Sequence, residues 1–108
     1  MNEETLLVCS TFPDTETARW IARQLVTEKF AACANIVPAV ESIYRWQGKV
    51  EDGEETFVFF KTTAARYPAF QEKLKSLHPY DVPEIIALKI SDGLPEYLKW
   101  VDRNTKPN

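Results

Sequence analysis

Three segments of the chain, residues 6–9, 57–60 and 85–90, are apolar at nearly every position. In an extended strand successive side chains point to opposite faces, so such runs are apolar on both faces of their sheet. A layer of crossover helices covers one face of a four-stranded sheet and leaves the other wet. With 108 residues there is room for one core, not two. The most economical cover for the second face is another copy of the chain, since monomers rarely expose so large an apolar patch. An obligate oligomer is expected.

The remaining elements follow from periodicity and turn residues. Thr5–Phe12 is rich in strand formers and closed by Pro13. Asp14 stands as a helix N-cap with Glu16 in the first turn, and Ala18, Ile21, Ala22, Leu25 and Val26 form an amphipathic stripe ending near residues 28–30. Residues 32–37 read as a strand that Pro38 interrupts and that resumes over 40–46. Gln47-Gly48 suits a two-residue hairpin turn. The return strand starts at Lys49, is disturbed at Asp52-Gly53 and continues to Thr62. A second helix carries Tyr67, Phe70, Leu74 and Leu77, with Pro68 in its first turn and Pro79 stopping it. Residues 84–90 form a further strand, extended after Pro83. Residues 95–101 close the chain as a short helix offering Tyr97, Leu98 and Val101 for packing. The order is βαββαβ with an extra C-terminal helix, an α+β ferredoxin-like sandwich in two layers. One domain spans 1–108, with an ordered core of about 5–104.

Charge narrows the function. Sixteen acidic residues against 13 basic ones give a net charge of -3, which argues against nucleic acid or anionic membrane as a partner. No apolar run is long enough to span a bilayer. The opening Met1-Asn2-Glu3-Glu4 is acidic where a secretory signal is basic, and two cysteines make no disulfide scaffold. A cytoplasmic, reduced location is expected.

Four segments carry a family resemblance: residues 8–14 (Val-Cys-Ser-Thr-Phe-Pro-Asp), 31–38 (Ala-Ala-Cys-Ala-Asn-Ile-Val-Pro), 42–49 (Ser-Ile-Tyr-Arg-Trp-Gln-Gly-Lys) and 78–84 (His-Pro-Tyr-Asp-Val-Pro-Glu). With Lys61-Thr62-Thr63 between them, the chain resembles the CutA family of divalent-cation tolerance proteins over nearly its whole length. The resemblance implies a ferredoxin-like subunit assembled as a homotrimer. It implies a role in tolerance of copper and other divalent cations, zinc among them, and no enzymatic reaction. PII signalling proteins are similar in trimer architecture, so a signalling or interaction trimer with a small ligand or partner in its inter-subunit clefts is the alternative.

By the same resemblance, Cys9 and His78 match copper-ligand positions, and Glu84 is a neighbouring carboxylate. Thiolate and imidazole suit copper and zinc. Where some bacterial members carry two histidines before the proline, this chain has Leu77-His78. Cys9 also reads as a small buried hydrophobe in phase with Leu7. Tyr44, Trp46, Lys61 and Tyr80 are implied to gather at clefts between subunits, where aromatic walls with charged neighbours suit either a small polar ligand or interface packing. Cys33, between alanines, reads as a packed interior cysteine. The acidic run Glu51-Asp52-Gly53-Glu54-Glu55 lacks calcium-loop spacing and reads as a solvated strand edge. With one histidine in the chain, no Cys-His catalytic pair or histidine-rich zinc centre is expected.

Overall fold

The computed structural model describes residues 4–107; the acidic opening at Met1–Glu3 and the final Asn108 lie outside them. The elements are β1 (Thr5–Phe12), α1 (Thr15–Thr27), β2 (Cys33–Trp46), β3 (Lys49–Thr63), α2 (Tyr67–Leu77), β4 (Ile86–Lys89) and α3 (Pro95–Arg103). The four strands form one antiparallel sheet in the order β2-β3-β1-β4. The α+β sandwich with a closing helix is therefore the observed fold.

Local chemistry sets the boundaries. The Asp14 carboxylate accepts from the Thr17 amide at 2.7 Å, so α1 starts where its N-cap stands. At the other end Lys29 turns left-handed (φ 65°), and the Phe30 amide reaches back to the Leu25 carbonyl, closing the helix in a Schellman turn. Gln47 and Gly48 both have positive φ, 50° and 79°, the type I′ geometry that matches strand twist.

Pro38 does not break β2. Register moves from Val37↔Phe57 to Val40↔Glu55, so β2 carries one extra residue there, a β-bulge with Ala39 at φ 61°. Asp52-Gly53 does not disturb the return strand either: Gly53 pairs with Ser42, and β3 runs unbroken for 15 residues. β4 is shorter than the expected strand 84–90, with its register against β1 running from Ile86 to Lys89. Thr105, expected in a loose tail, is buried, and its hydroxyl donates to the Val101 carbonyl at 3.0 Å.

Register assigns the faces. Leu6, Val8 and Phe12 of β1 with Val58 and Phe60 of β3 meet Ile21 and Leu25 of α1 and Phe70 and Leu74 of α2 in the main core. Leu7, Cys9 and Thr11 point the other way, beside Lys61, Phe59 and Phe57 and beside Leu88 and Ile86. This second face is not left wholly to another copy. Helix α3 packs on β3 and β1, and its Tyr97 hydroxyl lies 3.6 Å from the Cys33 sulfur. Its Val101 is fully buried. Beyond α3 the apolar surface continues uncovered, with Ile86 51% and Leu88 49% exposed.

Ser10 is fully buried among the main core residues, and its hydroxyl finds no partner among the described residues. An unsatisfied buried polar group lowers stability. Ser10→Ala is expected to raise the unfolding free energy by about 1 kcal/mol, read as a higher denaturant midpoint at unchanged slope.

Candidate functional site

Two clusters hold most of the residues that the sequence singled out. The first cluster lies over the end of β1. Because α2 ends at Leu77 and Pro79 cannot continue it, the chain from His78 crosses the end of β1 toward β4. The His78 ring stacks on Phe12 (centroids 4.6 Å apart, planes at 19°), with Tyr80 on it at 4.9 Å. Its Nε2 lies 2.8 Å from the Thr11 carbonyl, and its Nδ1 accepts the Tyr80 amide at 3.2 Å. A carbonyl only accepts, so Nε2 carries the proton and the ring is the neutral Nε2–H tautomer. Burial pushes the His78 pKa below its ordinary value, although the Thr11 carbonyl and the Glu55 charge oppose that.

Tyr80 donates its hydroxyl to Glu55 at 2.8 Å. Burial and that carboxylate hold its pKa far above the usual tyrosine range, with Tyr44 and Asp14 adding smaller contributions. Glu55 was hidden in the acidic run; only the fold separates it from its neighbours and aims it at Tyr80. Tyr44 is therefore close to this cluster, whereas Trp46 stands at the hairpin end, 59% exposed.

The second cluster looks out of the uncovered face. Cys9 is in register with Phe59 and Ile86 there. Burial raises its thiol pKa and the nearby Glu84 charge raises it further, which places Cys9 and Glu84 within electrostatic reach. Lys61 sits further along the same face with its ammonium on the Asn35 side chain.

Cys9 and His78 are thus not brought together. The cysteine side chain leaves β1 on one side, and the imidazole stacks on Phe12, which leaves it on the other. Among the described residues no group of three or more His, Cys, Asp or Glu is arranged to hold a metal ion. His78 has no free lone pair while Tyr80 holds Nδ1, and Cys9 with Glu84 supplies two donors only. One subunit does not fit a complete resident metal centre. Cys33, expected to be an interior cysteine, is half-exposed at the sheet edge and in contact with Tyr97; it is free, as is Cys9. No helix among the described residues is long and apolar enough to cross a membrane.

Comparison with known proteins gives one answer. Residues 6–104 match the family described as CutA1 divalent ion tolerance protein. The chain is 52% identical over 103 residues to the divalent-cation tolerance protein CutA of Thermus thermophilus, covering 95% of this chain and 98% of that protein. A solved structure of a Thermus thermophilus divalent cation tolerance protein superposes with a TM-score of 0.91 at 50% identity, covering 94% and 99% of the two chains. The crystal structure of CutA1 from Oryza sativa superposes at 0.94 with 40% identity, covering 97% and 96%.

Proposed function

The chain belongs to the CutA1 divalent ion tolerance family, and from that premise we propose that it acts in divalent-cation tolerance as a cytoplasmic homotrimer that binds the ion, copper first, without turning anything over. Cys9, in register with Ile86 on the sheet face that α3 leaves uncovered and within electrostatic reach of Glu84, is the observation that carries the reading. A cation bound by the Cys9 sulfur would supply the positive charge that burial and the Glu84 carboxylate leave the thiolate without. Soft thiolate favours copper, and the neighbouring carboxylate contributes charge. Two donors leave the shell to be completed by water or by a neighbouring copy. His78 joins the ligand set only by giving up the Tyr80 amide. Two thiols without a disulfide suit a reducing compartment.

The ion must displace the thiol proton, so binding releases protons and apparent affinity rises with pH. A Cu(II) titration by calorimetry, with thiols counted before and after, is expected to give stoichiometric binding by the wild type. Cys9→Ser is expected to weaken it at least about tenfold, each factor of ten being about 1.4 kcal/mol. Equal affinity in the two proteins would overturn Cys9 as ligand.

The alternative is a PII-like trimer that takes a small ligand in clefts lined by Tyr44, Trp46, Lys61 and Tyr80. The Tyr80 and Lys61 polar tips are already engaged by Glu55 and Asn35, which favours metal handling over this reading. A thermal-shift screen of metals against nucleotides and small anions separates them, because a true ligand raises the midpoint by mass action.

A further inference from the structure

The dipeptide Asp-Gly occurs twice in the chain, at 52–53 and 92–93, and the fold treats the two differently. Asp52-Gly53 lies inside β3, with Asp52 opposite Ile43 and Gly53 opposite Ser42, so the ladder holds its backbone extended. Asp92-Gly93 lies in the irregular link between β4 and α3, with both residues exposed. There the Gly93 amide nitrogen sits 2.8 Å from Oδ1 of the aspartate that precedes it. The carboxyl carbon is one bond beyond that oxygen, so nitrogen and carbon are held in the near-attack range for closing a ring. Gly93 has no Cβ to shield its nitrogen. The fold also favours a glycine there, because a Cβ at 93 would come 3.1 Å from the Leu98 side chain.

We propose that Asp92-Gly93 is a site of spontaneous covalent modification, at which aspartate converts to isoaspartate through a cyclic imide while Asp52-Gly53 is spared. The Gly93 nitrogen bonds to the Asp92 carboxyl carbon. One carboxyl oxygen leaves as water, carrying the amide proton and one proton from solvent. Water then adds to either ring carbonyl: opening at the side-chain carbonyl restores aspartate, and opening at the main-chain carbonyl gives isoaspartate. Nothing is oxidised or reduced, and water is the only co-reactant. At 52–53 the same ring would pull both residues out of their pairing with Ile43 and Ser42, so the lost ladder bonds add to the barrier. The product at 92 lengthens the link into α3 by one backbone carbon. Because Gly93 packs close to Leu98 of α3, that change loosens the helix which partly covers the Cys9 face. The inference is independent of metal binding.

The test holds assembled wild type warm in neutral buffer, below its unfolding transition, for several weeks before peptide mapping by mass spectrometry. The probe is a protein isoaspartyl methyltransferase with a labelled methyl donor. Expected are a transient species lighter by one water at 92–93 and at least about tenfold more label there than at 52–53. In guanidinium, which dissolves the ladder, the two dipeptides should age at similar rates. Asp92→Glu keeps the charge but needs a larger ring, and should remove the label at 92 while leaving 52 as it was. Amide exchange within α3 should quicken in the aged fraction. Absence of isoaspartate at 92, equal label at the two sites of the folded protein, label that survives Asp92→Glu, or unaltered α3 exchange after ageing would each overturn the proposal.

Discussion

In the proposed trimer, of three times 12.4 kDa, replacing Leu88 by aspartate is expected to release single folded subunits. Leu88 is about half exposed in the isolated subunit, so an aspartate there stays hydrated and the subunit keeps its circular dichroism. In an assembly that buries the face formed by Leu7, Phe57, Phe59, Ile86 and Leu88, the same carboxylate is stripped of water with no partner. That costs several kcal/mol per subunit and is repeated at every symmetric copy. Sedimentation velocity of dilute wild type and variant reads it directly. A wild type that sediments as one subunit would sink both the trimer and the argument from two-sided strands.

The second large effect is expected at His78. Its removal leaves the Thr11 carbonyl without its donor, frees the Tyr80 amide and opens a gap between Phe12 and Tyr80. A lost buried hydrogen bond together with a lost ring-sized contact sums to about 3 kcal/mol for His78→Ala. Chemical denaturation should show it without any metal present. His78 is 8% exposed, so any loss of copper binding in this variant has to be compared with its loss of structure. His78→Gln, which keeps a donor and an acceptor, is the better ligand test.

The same environment sets a pH dependence. Because the folded pKa of His78 is lowered, the unfolded chain takes up a proton first as pH falls below about 6.5. In that window the unfolded state binds more protons, so stability is full above it and declines on acidification toward the folded pKa. His78 is the chain's one histidine, so no other imidazole contributes. In metal-free buffer, His78→Gln should be less stable than wild type at pH 7.5 and should lose less stability between pH 6.5 and 5. An identical pH slope in the two proteins would contradict the assignment.

The sequence carried the order of elements because each boundary has a local cause: Asp14 for α1, Pro79 for the end of α2, Gln47-Gly48 for the hairpin. It carried less where a tertiary partner decides the outcome. Pro38 looked like a break because a strand interior needs its N–H, yet a bulge places the missing donor where the ladder is already disrupted. Gly53 looked like a disturbance, but pairing with Ser42 holds it extended. The two-sidedness of β1 is legible in its run of apolar residues, whereas the partial cover by α3 is not, since nothing local says on which face a terminal helix lands. The site was less legible still. That Cys9 and His78 leave opposite sides of β1 depends on where α2 returns the chain. The choice of Glu55 among four neighbouring carboxylates depends on a residue 25 positions away.

The bulge at Ala39 also constrains how this chain can be edited, by nature or by design. Below it the odd-numbered residues of β2, Cys33 to Val37, share the face of Cys9; above it register hands that face to the even-numbered Tyr44 and Trp46. The strand is written in two reading phases joined at one residue. Lengthening or shortening the hairpin by a matched pair of residues, one on each strand, shifts its tip by a step along β2 and β3. Deleting Ala39 alone would remove the extra residue and leave a regular ladder, with Val40 two steps after Val37 and still opposite Glu55, so Tyr44 and Trp46 would keep their face. The face that the arm presents is therefore set by its pairing with β3 and not by the number of residues in β2.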